Sequence, residues 1–239
     1  MKIKTIISII TLLLIVSNSF AQNKSANELL KEYGFSTENI LSSIDLSQAK
    51  YSFKAKSVTT TEQEANHSTS KKEIEYLYDI EKPKGEKYEL ISSKGKAPSK
   101  RAIKHFNKNR NGIVNTNYYK LQGKDFFVSD DNETELIIGF NIPKDKVDSK
   151  IAFMAHSTGY IHINKETKQM SKINIKNREP FNIKVFHVTK MNIDINIKYN
   201  NKFSMYYVSS EHTIMKVIIL GALTSITVDE TYSDFKFNK

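Results

Sequence analysis

Neither cysteine nor tryptophan occurs in these 239 residues, and proline and glycine are scarce, at 4 and 8. The missing cysteine excludes a disulfide scaffold, a thiolate metal site and a thiol nucleophile. So few glycines exclude a collagen-like or glycine-rich repeat, and no fixed-period repeat or glycine-rich phosphate loop is present. The histidines, His67, His105, His156, His162, His187 and His212, nowhere show the His-x-x-x-His or HExxH spacing that places two metal ligands on one helix face. Acidic residues are outnumbered, 26 against 36 basic ones, for a formal charge of +10.

The chain has one long apolar run, and it lies at the start. Lys2 and Lys4 precede an almost wholly apolar stretch from Ile6 to Val16, and Ser19-Phe20-Ala21 offers the small, any, small pattern of a signal-peptidase site. The run is too short and wrongly flanked for a retained membrane span, and no cysteine follows to carry a lipid anchor. The expectation is a signal peptide over residues 1–21, cleavage near Ala21, and a single domain over 22–239 in the periplasm or outside the cell. A chain of that size buries enough surface to be held by its core alone.

Without Lys2 and Lys4, 34 basic residues face 26 acidic ones, about +8. That balance suits anionic partners such as lipid headgroups or polyanionic glycans, and export argues against nucleic acid. A monomer is expected.

Ser25 and Glu28 have capping-box spacing, and Leu29, Leu30 and Tyr33 follow before Gly34, which predicts a short helix. A second helix is predicted from Ser36 or Thr37, carrying Ile40, Leu41 and Ile44 at helical spacing. From Tyr51 the apolar period changes to two. Strands beginning at Tyr51 and running through Ile74, Tyr76, Tyr78 and Ile80 form a long hairpin with a polar tip near His67. A strand at Lys87–Ser92 leads to a basic amphipathic helix over about Ser99–Asn109, with Ala102, Ile103 and Phe106 on one stripe. Residues 107–117 are the best candidate for an internal linker. Beyond them strands are predicted at 135–142, 151–156, 159–164, 169–177, 182–188, 191–199, 202–209, 213–220 and 225–230. The cleanest is Met191–Tyr199, apolar at every odd position and polar at every even one, as in an antiparallel sheet with one dry face.

Chemistry is sparsely signalled. His156 and His162 flank a tight Ser157–Tyr160 segment, but Ser157 has no nucleophile elbow around it. Asp130–Glu135 is dense in acids yet lacks the spacing and central glycine of a calcium loop, and reads as a polar turn. Glu62, Glu64, Glu73 and Glu75 alternate as carboxylates facing water commonly do. No catalytic residue, metal or cofactor is predicted. Phe140, Phe153, Tyr160, Phe186, Phe203, Met205 and Tyr207 are candidates to line a hydrophobic cleft. Lys100, Arg101, Lys104 and Lys108 are candidates for a basic surface.

Three stretches carry a family resemblance. Tyr78 to Ser99, with Pro83, Gly85, Tyr88, Leu90, Ile91, Gly95 and Pro98, is similar to a segment of exported proteins in which tryptophan is usual where Tyr88 stands. Gly159-Tyr160-Ile161-His162-Ile163-Asn164 with Thr167 is similar to a hairpin of the same group, and Thr231-Tyr232-Ser233-Asp234-Phe235 with Phe237 to its closing strand. With the order of elements, these resemble the LolA/LolB-like lipoprotein-carrier superfamily. The resemblance implies an α+β fold, mainly antiparallel β, in which an incomplete half β-barrel wraps around a few short helices. It implies a cleft for a lipid or acylated ligand, with no covalent step. The family's helix-contacting arginine has no matching position here. A non-catalytic carrier is therefore expected, with an interaction module docking on anionic envelope surfaces through the basic helix as the alternative, and a secreted hydrolase using His156 or Glu73 and Glu75 third.

Overall fold

The computed structural model describes residues 24–37, 40–41, 50–83, 85–110, 121–147, 149–183 and 185–237. Helix α1 (Ala26–Glu32) begins at the predicted capping box: the Ser25 backbone N–H donates to Glu28 at 2.8 Å, and the Glu28 N–H to Ser25 Oγ at 3.3 Å. Strands β1 (Tyr51–Gln63), β2 (Ser68–Tyr78) and β3 (Tyr88–Ser93) form a meander, followed by helix α2 (Lys100–Arg110). Then come β4 (Phe126–Asp131), β5 (Glu135–Asn141), β6 (Ser157–Asn164), β7 (Gln169–Asn177), β8 (Phe181–Ile183), β9 (Phe186–Asn200), β10 (Met205–Ile219) and β11 (Ala222–Phe237).

All eleven strands belong to one antiparallel sheet in the order β3-β2-β1-β11-β10-β9-β7-β6-β5-β4, with β8 as a side branch on β9. Every neighbour on the path is a near neighbour in sequence except β1 and β11, which pair from Tyr51↔Phe237 to Gln63↔Thr224. The sheet does not close, because β3 and β4 remain as edges. Among the described residues it is an open half-barrel with two short α-helices.

Alternation gives the sheet a dry inner face. In β9, Met191, Ile193, Ile195 and Ile197 pack inward, while on the outer side Asn192 and Asp194 accept from Asn174 and Asn196 donates to Ser210. The inner face carries two apolar clusters. The larger joins Leu29 and Leu30 of α1 to Leu136, Ile138, Phe140, Ile161, Ile163, Met170 and Ile173. The smaller, mostly aromatic, joins Phe106 of α2 to Tyr51, Phe53, Tyr76, Tyr78, Leu90 and Tyr232. Both helices thus cover the same face, one over each half.

Several boundaries differ from the sequence expectation. Residues 151–156 belong to a 3-10 helix (Ser149–His156), since β5 ends at Asn141↔Thr158 and leaves that segment no strand to pair with. The predicted strands 202–209 and 213–220 are one strand, β10. Its register skips Ser209, a bulge that resets the alternation. Segment 182–188 is split between β8 and β9, and 225–230 is the middle of a longer β11. Most of the second predicted helix, and residues 111–120 of the predicted linker, lie outside the described residues, as does the predicted signal peptide.

Candidate functional site

A cavity of about 510 Å³ opens at one end of the half-barrel, between the segment after α1 and the β6–β7 and β9–β10 turns. Tyr33, Phe35, Ile40, Tyr199 and Tyr206 supply its apolar wall, and Thr167, Lys168, Gln169 and Ser204 its polar rim. Each part is set by a local rule. Helix α1 stops at Gly34, whose φ of 81° is the left-handed conformation that favours glycine. The Gly34 N–H then donates to the Lys31 carbonyl at 3.0 Å and the Phe35 N–H to Leu30 at 2.9 Å, a Schellman ending. This turn swings Phe35 onto the sheet, 5.9 Å from the ring of Tyr206.

On the opposite wall, the Asn164 side chain accepts the Thr167 N–H at 2.8 Å and holds the β6–β7 turn that presents Lys168. Asn200 likewise accepts the Lys202 and Phe203 N–H groups and shapes the turn carrying Ser204. Tyr206 packs 4.8 Å from Tyr199, and its hydroxyl oxygen accepts the Met170 N–H at 3.3 Å. That leaves the phenolic proton available to a ligand, and burial raises the phenol above its ordinary range. The cleft offers aromatic faces, one ammonium and hydroxyl donors. Among its lining residues no nucleophile has a base beside it.

A second constellation lies deeper on the inner face, near Ile195, where the two apolar clusters meet. Glu211 of β10 stands directly opposite Glu230 of β11. Glu230 accepts hydrogen bonds from Arg110 Nη2 and from the Tyr76 hydroxyl, each at 2.6 Å. Arg110 also lies over the Tyr76 ring, 4.7 Å from its centre. Glu211 accepts from the Tyr232 hydroxyl at 3.1 Å. Burial, and then the charge of Glu230, push the Glu211 carboxyl up to about 7; burial, then Glu211 and Glu230, also raise the Tyr232 phenol well above its usual value. Sequence reading missed this cluster. In the sequence Arg110 is one more basic residue beside Lys104 and Lys108, and Glu211 falls between the predicted strands 202–209 and 213–220.

The predicted cleft residues do not converge on one place. Phe140 is buried in the larger cluster, and Phe153 stacks on Phe181 at 5.8 Å. Tyr160 lies on the outer side under Lys176, and Phe186 is exposed. Phe203, Met205 and Tyr207 come together beside Phe237 and the smaller cluster. Lys100, Arg101, Lys104 and Lys108 are all exposed on α2.

His156 and His162 have separate carboxylate partners, Glu179 and Glu135. Glu73 and Glu75 pair across the hairpin with Lys56 and Lys54. In the Asp130–Glu135 segment the Asn132 side chain accepts the N–H groups of Thr134 and Glu135, a polar turn as read from sequence. Among the described residues no group of three or more His, Asp or Glu side chains could hold a metal ion, and no helix is long and apolar enough to cross a membrane.

Fold and cleft together define an open antiparallel half-barrel with a small amphiphilic pocket under its first helix. No family model matches the chain, and no curated protein does. Among solved structures it is similar to a DUF1329 family protein from Desulfovibrio piger, with 10% identity over 87% of this chain and 93% of that one and a TM-score of 0.36. It is similar also to the LolA superfamily protein NE2245 from Nitrosomonas europaea, with 11% identity over 90% and 94% and a TM-score of 0.35. A third, the MucA/MucB complex of Pseudomonas aeruginosa, aligns at 10% identity over 83% and 94% with a TM-score of 0.20. At these scores the likeness is confined to the general course of a β-rich chain.

Proposed function

We propose that this protein is a non-catalytic, exported binding or carrier protein that takes a lipid-like amphiphile into the half-barrel cleft. The single observation behind the reading is the cavity of about 510 Å³ between the Tyr33–Ile40 segment and the sheet, a size typical of small-molecule sites. Its aromatic wall suits an acyl chain, and its rim suits a head group that accepts hydrogen bonds. The reading places the protein beyond the cytoplasmic membrane after cleavage near Ala21. Met205, Tyr207 and Phe203, close to the β9–β10 turn, are the members of the sequence-derived set that belong to the same end of β10.

Displacement of a fluorescent fatty acid tests this. The wild type is expected to bind the probe one to one, and Gln169→Trp, which fills the cleft from its rim, to weaken binding at least ten-fold. Native mass spectrometry of protein purified from its own envelope should show a bound lipid. Absence of both signals would discard the reading.

A second reading is favoured by the exposure of Lys100, Arg101, Lys104 and Lys108 on one helix. It makes α2 a docking surface for anionic envelope components, and binding should then weaken steeply with salt. Charge reversal at the four positions should abolish it; unchanged binding would end this alternative.

A further inference from the structure

We propose that the sheet end formed by the β10–β11 and β8–β9 tips docks on an anionic lipid bilayer. The β10–β11 hairpin turns through Leu220 and Gly221, with φ of 50° and 81°. Such two-residue turns favour Asn, Asp or Gly, which tolerate positive φ. Here the first position is leucine, and its side chain is fully exposed. Neither the backbone nor the core gains from that choice, so its use lies outside the folded chain.

The exposed leucine is not isolated. Val217, Ile218, Ile219, Ala222 and Leu223 make the whole tip apolar. The neighbouring tip lies beside it, since β9 starts at Phe186 and pairs His187↔Ile218 and Val188↔Val217. Between β8 and β9, Val185 is 83% exposed and Phe186 is 38% exposed. Two adjacent tips at one end of the sheet therefore hold apolar side chains in water.

A pair of lysines stands behind them. Lys190 and Lys216 face each other directly across β9 and β10, and neither has a carboxylate partner among the described residues. Like charges so placed repel, and an anion between them relieves the repulsion. The acid on the same row, Glu62, is separated from Lys216 by Ser225 of β11, about 10 Å across two strand spacings. Glu64 lies in the turn beyond it, and His187 is held by Asn182 at 2.9 Å.

The spacing fits a bilayer. Lys216 lies four residues behind Leu220, about 13 Å along the strand. Apolar groups of interfacial proteins sink roughly 5–10 Å into the boundary of head groups and acyl chains. Lysine stems then reach to phosphate level. A protein partner would need about 1,000 Å² of well-packed complementary surface, whereas a fluid bilayer needs no matching shape.

The chain has no tryptophan, so Leu220→Trp adds a single reporter. Mixed with vesicles of phosphatidylethanolamine and phosphatidylglycerol, that variant should show a blue-shifted emission quenched by brominated acyl chains, and neither effect with phosphatidylcholine alone. In co-sedimentation, Leu220→Asn and Val185→Ser should each lower wild-type binding roughly ten-fold, from the apolar surface lost. Lys190→Glu with Lys216→Glu should abolish it. Leu220 and Val185 are both exposed, so the circular dichroism of their variants should stay unchanged. Wild-type binding that survives the Leu220→Asn/Val185→Ser double variant overturns the proposal. So does binding lost only on charge reversal in α2, or self-association through Leu220 without vesicle binding.

Discussion

Arg110 and Glu230, 120 residues apart in the chain, are joined by a 2.6 Å hydrogen bond that fastens the end of α2 to the middle of the sheet. The Glu230 side chain is almost completely enclosed, and among the described residues Arg110 is the cation that pairs with it. A buried pair of this kind stabilises little over an apolar replacement, but breaking it leaves a charge without compensation. Arg110→Leu should therefore cost about 3 kcal/mol, read as a lower urea midpoint. Adding Glu230→Leu should recover most of the loss. A single variant that unfolds like the wild type would show that α2 is held by Phe106 alone.

The carboxyl of Glu211 titrates at about 7 against an ordinary 4.5. A carboxyl raised on folding binds its proton more tightly in the native state, so its contribution to stability is full below pH 4.5 and is lost as pH rises through about 7. Glu211→Gln keeps an acceptor for the Tyr232 hydroxyl and removes the titration. Thermal melts across pH should show the variant gaining on the wild type between these limits and staying more stable above them. Parallel curves for the two proteins would contradict the assignment.

Two glycines allow aromatic rings to lie flat on the sheet. A β-carbon on Gly159 would come within 2.0 Å of Phe140 Cζ, and one on Gly139 within 2.2 Å of Phe127 Cζ. Phe140 is enclosed by the core, whereas Phe127 is 38% exposed and free to turn away. Gly159→Ala should thus cost about 2–3 kcal/mol from overpacking, and Gly139→Ala clearly less. Differential scanning calorimetry checks the order, and equal losses would show that the exposed ring is as fixed as the buried one.

Gly34 meets no atom within 4 Å at its would-be β-carbon, so only its φ of 81° restricts the position. Gly34→Ala should cost about 1 kcal/mol, shift Phe35 from Tyr206 and weaken binding of the fatty-acid probe. Gly34→Asn, which tolerates the left-handed conformation, should restore most of both. Probe affinity unchanged in the alanine variant would separate the helix ending from the cleft.

Much of this architecture was legible in the residues. The alternation of Met191 to Tyr199, the Ser25–Glu28 box and the Tyr51–Tyr78 hairpin are local patterns, and the structure follows them. What escaped was set by tertiary partners. Ser210-Glu211-His212 breaks the apolar period and separates two predicted strands, yet it runs through β10 because Arg110, Tyr76 and Tyr232 make its inner face a polar site. The cleft was equally hidden, since Phe35, Lys168 and Tyr206 meet only when three turns arrive at one end of the sheet.

The pairing of β1 with β11 also governs the order of assembly. One edge of the first strand stays unpaired until the last strand exists, because Tyr51 finds its neighbour there in Phe237. Closing so long a loop is the slow step expected of a high-contact-order fold. Until β11 has been made, the amino-terminal meander has no wider sheet to join, and its β1 edge stands open to other strands.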